Sequence, residues 1–163
     1  ENPSHFSGVS NRPVENISWH QAKEYCQRLG KRLPTEWEWE NAARSKKNTA
    51  YFWGNEFNPD FAWFIGNSSS RTNPVGQKKP NPIGLYDMAG NVYEWGSDWY
   101  SEDYYKTSPR NNPQGPPGGE TKVLRGGAWN NNPSFVRPTY RYSKNLTSRL
   151  DNIGFRCAKT LRS

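Results

Sequence analysis

The chain has 163 residues and carries 22 Lys/Arg against 15 Asp/Glu, a formal net charge of +7. Leu, Ile, Val and Phe together number only 24, a shortage that with this charge points towards disorder. The 8 Trp, 9 Tyr and 7 Phe reverse that reading, because each ring buries far more area than a Val. The length excludes two full domains, and no apolar run approaches the ~18 residues of a membrane span.

Charge is unevenly placed: residues 1–120 hold 13 basic and 14 acidic side chains, residues 121–163 hold 9 basic ones and Asp151 alone. A basic tail attracts polyanions, but no helix-turn-helix, zinc-finger or single-strand-binding pattern accompanies it, so a nucleic-acid partner is not expected. The first residue is Glu1, without Met or a signal-peptide pattern, which suggests a processed, excised or partial chain.

In chain order, Ser18 with Gln21 forms a capping box that opens a first helix, with Trp19, Ala22, Tyr25, Cys26 and Leu29 on one face and Gly30 as its stop. Thr35 with Glu38 opens a second behind Pro34, running to about Arg44 with Trp37, Trp39, Ala42 and Ala43. Glu36, Glu38 and Glu40 load its positive dipole end. Beyond Arg44, Gly, Pro, Asn and Ser recur every few residues, which predicts a loop-rich body with short strands. Residues 111–119 (NNPQGPPGG) read as an exposed loop. Lys122–Arg125 and Gly154–Lys159 read as strands bracketing a polar, irregular excursion.

Four segments sharpen this outline: GKRLPTEWEWENAAR (30–44), NPIGLYDMAGNVYEWGSDWY (81–100), VLRGGAW (123–129) and NIGFRCA (152–158). In order and spacing they resemble the formylglycine-generating enzyme, or sulfatase-modifying factor, family from about Asn2 to Lys159. The resemblance implies an α+β, C-type lectin-like fold with two short helices, small antiparallel strands and much irregular loop. It implies one domain over 1–163 that lacks the family's N-terminal section.

Oxidase members of that family work through two redox cysteines that bind copper. Aligning RGGAW places those positions at Asn131 and Val136, neither of which can replace a soft thiolate ligand for Cu(I). An iron-dependent carbon–sulfur branch needs a histidine set, whereas only His5 and His20 are present. No nucleophile elbow or phosphate loop appears, and Glu94 and Asp98 fall in a motif that the family uses structurally. The expectation is therefore no catalytic residue, no copper and no iron. An enzyme would need residues upstream of Glu1.

The resemblance also implies a structural calcium site from the Asp87 and Glu94 side chains with the Gly90 and Val92 carbonyls, a hard oxygen set suited to that ion. A second family calcium site has Trp63 in place of its Asn and is expected to be lost. Cys26 and Cys157, the only cysteines, match a family pair, either as a disulfide or as adjacent buried thiols.

What remains is 129–152, WNNNPSFVRPTYRYSKNLTSRLDN, whose Tyr, Ser and Asn with Arg are the residues of recognition loops. It resembles the variable segment of proteins diversified by retroelements, with Asn130–Asn132, Asn145 and Asn152 as retained template. That resemblance implies ligand contacts at Ser134, Phe135, Thr139, Tyr140, Tyr142, Ser143, Lys144, Asn145, Ser148, Leu150 and Asp151. Arg137, Arg141 and Arg149 would fasten the segment to the scaffold, and Trp129 would belong to the core. The ligand is expected to be a protein or other macromolecule. A sensory domain of a signalling protein is the other non-enzymatic alternative.

Overall fold

The capping boxes form as read. In α1 (Trp19–Arg28) Ser18 Oγ accepts the Gln21 N–H (3.3 Å), and Gln21 Oε1 accepts the Ser18 N–H (3.1 Å). In α2 (Glu36–Arg44) Thr35 and Glu38 exchange the same two bonds at 3.1 and 2.9 Å. The protein is described here by a computed structural model over residues 2–160. Helix α1 buries Trp19, Ala22 and Cys26, while Tyr25 and Leu29, expected on the same face, are more than half exposed. At 100° per residue the three buried positions fall within about 60°. Tyr25 and Leu29 lie beyond the edge of that narrow arc. Helix α2 buries Glu36, Trp39 and Ala43 and ends at Ser45 in the left-handed region (φ 50°).

A four-stranded sheet follows, formed by β1 (Tyr93–Trp99), β2 (Thr121–Arg125), β3 (Tyr142–Asn145) and β4 (Ile153–Gly154) in the order β3-β2-β1-β4. Strand β2 matches its expectation. The expected strand at 154–159 does not: only Ile153–Gly154 pairs in the sheet, and Ala158 forms a separate bridge with Arg32. The β1–β4 pair is parallel, so the sheet is mixed rather than purely antiparallel. A third helix, α3 (Tyr104–Thr107), and two 3₁₀ turns, Pro59–Phe61 and Pro133–Val136, add to the two expected helices.

Two cores result. One sets Trp19, Ala22, Cys26 and Leu33 against Tyr93, Trp95, Leu124, Ala128 and Ile153. The other gathers Trp39, Ala43, Tyr51, Phe52, Met88 and Val136, with Trp53 stacked on Tyr51 (4.7 Å) and Phe61 (4.9 Å). Cys26 and Cys157 are joined as a disulfide with Cα atoms 5.5 Å apart, tying α1 to the chain after β4. Gly90 has φ +77°, and a Cβ there would lie 2.0 Å from the Trp63 carbonyl oxygen, so the loop before β1 can approach Trp63 only as glycine. Residues 111–119 form no regular element and are exposed or half-buried apart from Pro113. Among the described residues no helix is long and apolar enough to cross a membrane.

Candidate ligand-binding surface

The segment 129–152 leaves the sheet through Gly126 and Gly127, both at positive φ. A Cβ on Gly127 would meet Phe135 O at 2.7 Å and Val136 Cγ1 at 2.8 Å, so the segment folds back onto its own root only because that side chain is absent. Asn131 is locked there: its Oδ1 accepts the Ala128 N–H (2.9 Å), its N–H reaches Ala128 O (3.0 Å), and its carbonyl accepts the Ile65 N–H (3.0 Å). Val136 closes the 3₁₀ turn and is fully buried in the second core. The two positions that the resemblance matches to redox cysteines thus hold a turn-forming amide and a core aliphatic.

Beyond the turn the chain is fastened by arginines. Arg125, fully buried, reaches Glu36 Oε1 (3.2 Å), the carboxylate of Glu40, and Pro138 O (2.7 Å). Arg141 takes both Glu36 oxygens (2.7 and 2.9 Å) and donates to Ser101 O (2.9 Å) and Glu102 O (3.2 Å). Arg149 donates to Asn16 O (2.9 Å). Arg137 departs from the fastening role assigned to it: it is exposed and only faces the Tyr51 ring at 5.9 Å. Trp129 is half-buried rather than core, edge-on to Phe6 with Nε1 donating to Asp151 O (3.2 Å).

Of the residues assigned to ligand contact, Ser134, Thr139, Asn145 and Leu150 are exposed. Phe135, Tyr140, Tyr142, Ser143, Lys144, Ser148 and Asp151 are half-buried. Phe135 packs edge-on to Tyr140 (4.8 Å) and Tyr142 leans on Tyr93 (5.1 Å). Tyr142 to Asn145 were read as irregular excursion, yet they form strand β3, with Tyr142 opposite Leu124 and Asn145 opposite Thr121. The aromatics are therefore partly structural, and the exposed positions carry three short polar side chains, Ser134, Thr139 and Asn145, and the aliphatic Leu150. A half-buried phenol ring keeps one wet edge for a partner.

The residues of the implied calcium set converge on one cleft of about 440 Å³, which Arg156 also lines. Its donors are largely engaged. Glu94 accepts Arg156 Nε on Oε2 (2.5 Å) and Arg156 Nη2 on Oε1 (2.6 Å), and Trp39 Nε1 also binds Oε2 (2.6 Å). Asp87 Oδ2 accepts the Gly76 N–H (2.7 Å), leaving Oδ1 as a buried oxygen without a partner. Burial raises the Asp87 carboxyl above the usual range, and the Glu94 charge adds to it. Arg156 also donates to Tyr86 O and Asp87 O. A guanidinium thus supplies the positive charge that calcium would bring, and one free carboxylate oxygen together with the Gly90 and Val92 carbonyls falls short of the six to eight oxygens that ion takes. As arranged, these residues do not fit calcium. Among the described residues no group of three or more His, Cys, Asp or Glu is placed to hold a metal. His5 and His20 are both exposed, each edge-on to a neighbouring ring.

Two residues carry more than their sequence reading gave them. Glu36 was read as a dipole complement and is the buried anchor of two arginines. Lys122 is 5% exposed, its Nζ bound to Ser97 O (2.8 Å) between the faces of Trp99 (3.8 Å) and Trp19 (4.4 Å). Burial pulls its ammonium down to about 8. Its position on β2 opposite Trp99 needed the strand register, which sequence spacing did not provide.

The family model for the sulfatase-modifying factor enzyme 1-like domain matches residues 1–161. The formylglycine-generating enzyme of Streptomyces coelicolor is 41% identical over 95% of this chain and 55% of its own length. The serine/threonine-protein kinase pkn1 of Chlamydia caviae is 42% identical over 95% of this chain and 25% of its own length. This chain thus spans about half or less of those relatives. Among solved structures, Treponema denticola variable protein 1 superposes with a TM-score of 0.89 at 30% identity, covering 95% of this chain and 76% of that one.

Proposed function

The chain belongs to the family of sulfatase-modifying factor enzyme 1-like domains, and on that footing we propose that it is a non-catalytic binding module. Its recognition surface is the segment 129–152, displayed as in a retroelement-diversified variable protein or the C-terminal domain of one. The observation that carries this reading is the state of the two redox positions. A fully buried Val136 and an amide committed to its own turn leave no thiol at either. The rim of Ser134, Thr139, Asn145 and Leu150, set between arginine tethers, supplies side chains whose replacement costs the scaffold little. Likeness to a variable protein at TM-score 0.89 agrees with that use.

A sensory role is the second reading, favoured by the 42% identity to part of a protein kinase; there the same surface would report its ligand to an attached domain.

Two measurements test the proposal. The purified chain, supplied with copper(I) and a cysteine-containing sulfatase peptide, is expected to produce no formylglycine by mass spectrometry. Formation of the aldehyde overturns the reading. A display library diversified at Ser134, Thr139, Ser143, Lys144, Asn145 and Leu150 is expected to keep most clones folded and to yield binders to an arbitrary protein. General loss of folding in that library overturns it equally.

A further inference from the structure

We propose that a second site, on the outer side of α2, binds a planar ring carrying a phosphate. The argument is independent of the recognition surface and shares with its segment only Arg141. Trp37, Glu40, Asn41 and Arg44 stand at i, i+3, i+4 and i+7, one stripe of α2 turned away from the buried Glu36–Trp39–Ala43 stripe. Together with Lys46, Lys47, Tyr105 and Arg141 they line a cleft of about 580 Å³, a size that suits a small ligand.

Trp37 is 36% exposed, and among the described residues no ring or cation packs on it. The other tryptophans differ: Trp19, Trp63 and Trp99 lie under lysines, Trp53 and Trp129 meet other rings, Trp39 faces Arg125, and Trp95 is fully buried. Tyr105, 39% exposed, lines the same cleft with its ring already against the Arg141 guanidinium (5.0 Å) and Tyr104 (5.3 Å), so it shapes the wall while Trp37 is the ring left for a ligand. Such an uncovered indole is the kind of anchor that binding sites concentrate.

Charge specifies the rest. Arg44 is held by Glu40 (3.1 Å), Asn48 Oδ1 (2.7 Å) and Lys47 O (3.2 Å), so its position is fixed and its charge answered. Arg141 is answered by Glu36, and Glu40, the only carboxylate lining the cleft, also takes Arg125. Helix α2 ends in two consecutive left-handed residues, Ser45 and Lys46 (φ 50° and 65°). Lys46 and Lys47 follow as exposed side chains, and neither ammonium joins an ion pair among the described residues. Two unanswered positive charges beside the Trp37 ring match a dianion attached to a ring, a phosphate rather than a single carboxylate. A nucleoside monophosphate and a phosphotyrosine share that chemistry.

Calorimetric titration with AMP, O-phosphotyrosine, inorganic phosphate and adenosine tests this, with the Trp37 indole N–H followed by NMR. At least one of the two ring phosphates is expected to bind about tenfold or more tightly than both inorganic phosphate and adenosine, shifting the Trp37 resonance. Binding of AMP alone assigns a nucleotide, and binding of O-phosphotyrosine alone assigns a modified peptide. Trp37→Ala and the double variant Lys46→Ala/Lys47→Ala should each weaken binding by about tenfold, Trp37→Phe should retain most of it, and Lys159→Ala should change nothing. Circular dichroism verifies that the variants are folded. The proposal is overturned if neither ring phosphate binds at millimolar concentration, if inorganic phosphate binds equally well, or if folded Trp37→Ala binds as the parent does.

Discussion

Replacing Glu36 with Gln tests how the segment 129–152 is held. Glu36 is 1% exposed and its two oxygens accept three guanidinium N–H bonds, one from fully buried Arg125 and two from Arg141. Within this cluster Glu36 and Glu40 already face three guanidinium groups, Arg125, Arg141 and the half-buried Arg44, so Gln adds one more unit of uncompensated positive charge. It also turns an amide donor towards groups that only donate. Arg125 has no slack, since its Nε is already a buried N–H without an acceptor. Breaking a buried pair by removing one member costs about 3–5 kcal/mol, which for a domain of this size lowers Tm by roughly 6–20 °C. Arg32→Gln is the control: its partner Glu38 is about one-third exposed, and loss of such a pair costs about 1 kcal/mol or less. Urea denaturation gives both differences. Limited proteolysis of Glu36→Gln should cut first within 129–152, where Arg141 has lost its carboxylate. A Glu36→Gln protein within about 1 kcal/mol of the parent would refute the argument that this cluster is an essential buried pair.

Other expectations follow the same physics. Lys122 has a folded pKa depressed to about 8, so between about 8 and the free-lysine value the unfolded chain binds more protons, and the parent should gain stability as pH rises through that window. Lys122→Met should lack this gain, and a difference between the two proteins that does not change with pH would count against it. Reduction of Cys26–Cys157, whose sequence separation is 131, should lower stability by about 2–5 kcal/mol, read from urea curves with and without reductant. Because Arg156 occupies the Asp87–Glu94 cleft, adding calcium or EGTA should leave Tm unchanged; a rise of several degrees with calcium would mean that the guanidinium yields to the ion. Gly127→Ala should destabilise strongly through its clash with Phe135 O, checked by thermal melting beside Gly118→Ala, where a Cβ meets nothing within 4 Å.

Both long helices were legible because each is announced by a capping box whose two bonds are local. Strand β2 was legible at Lys122–Arg125, one residue short of its start at Thr121, whereas β1 (Tyr93–Trp99) was not read as a strand although it lies within the 81–100 motif. Strand β3 was not legible: Tyr142-Ser-Lys-Asn145 is polar and short, and it is a strand only because β2 offers it an edge. The parallel docking of β4 likewise depends on where the chain returns after a long excursion, not on Ile153–Gly154 themselves. Burial of Glu36 was masked by its neighbours Glu38 and Glu40, since three acids at alternate positions look alike until tertiary packing chooses one. Trp37 was counted with Trp39 as helix content, although two residues along a helix are about 200° apart and so face opposite ways.

The Arg125–Glu36–Arg141 cluster has a consequence for descent. One carboxylate serves two guanidinium groups rooted in different parts of the chain, so neither arginine can drift alone without stranding charge. Lineages of this domain should therefore keep the three residues as a set or exchange them together for apolar ones. Ser134, Thr139 and Leu150, whose side chains join no such cluster, should vary independently of it.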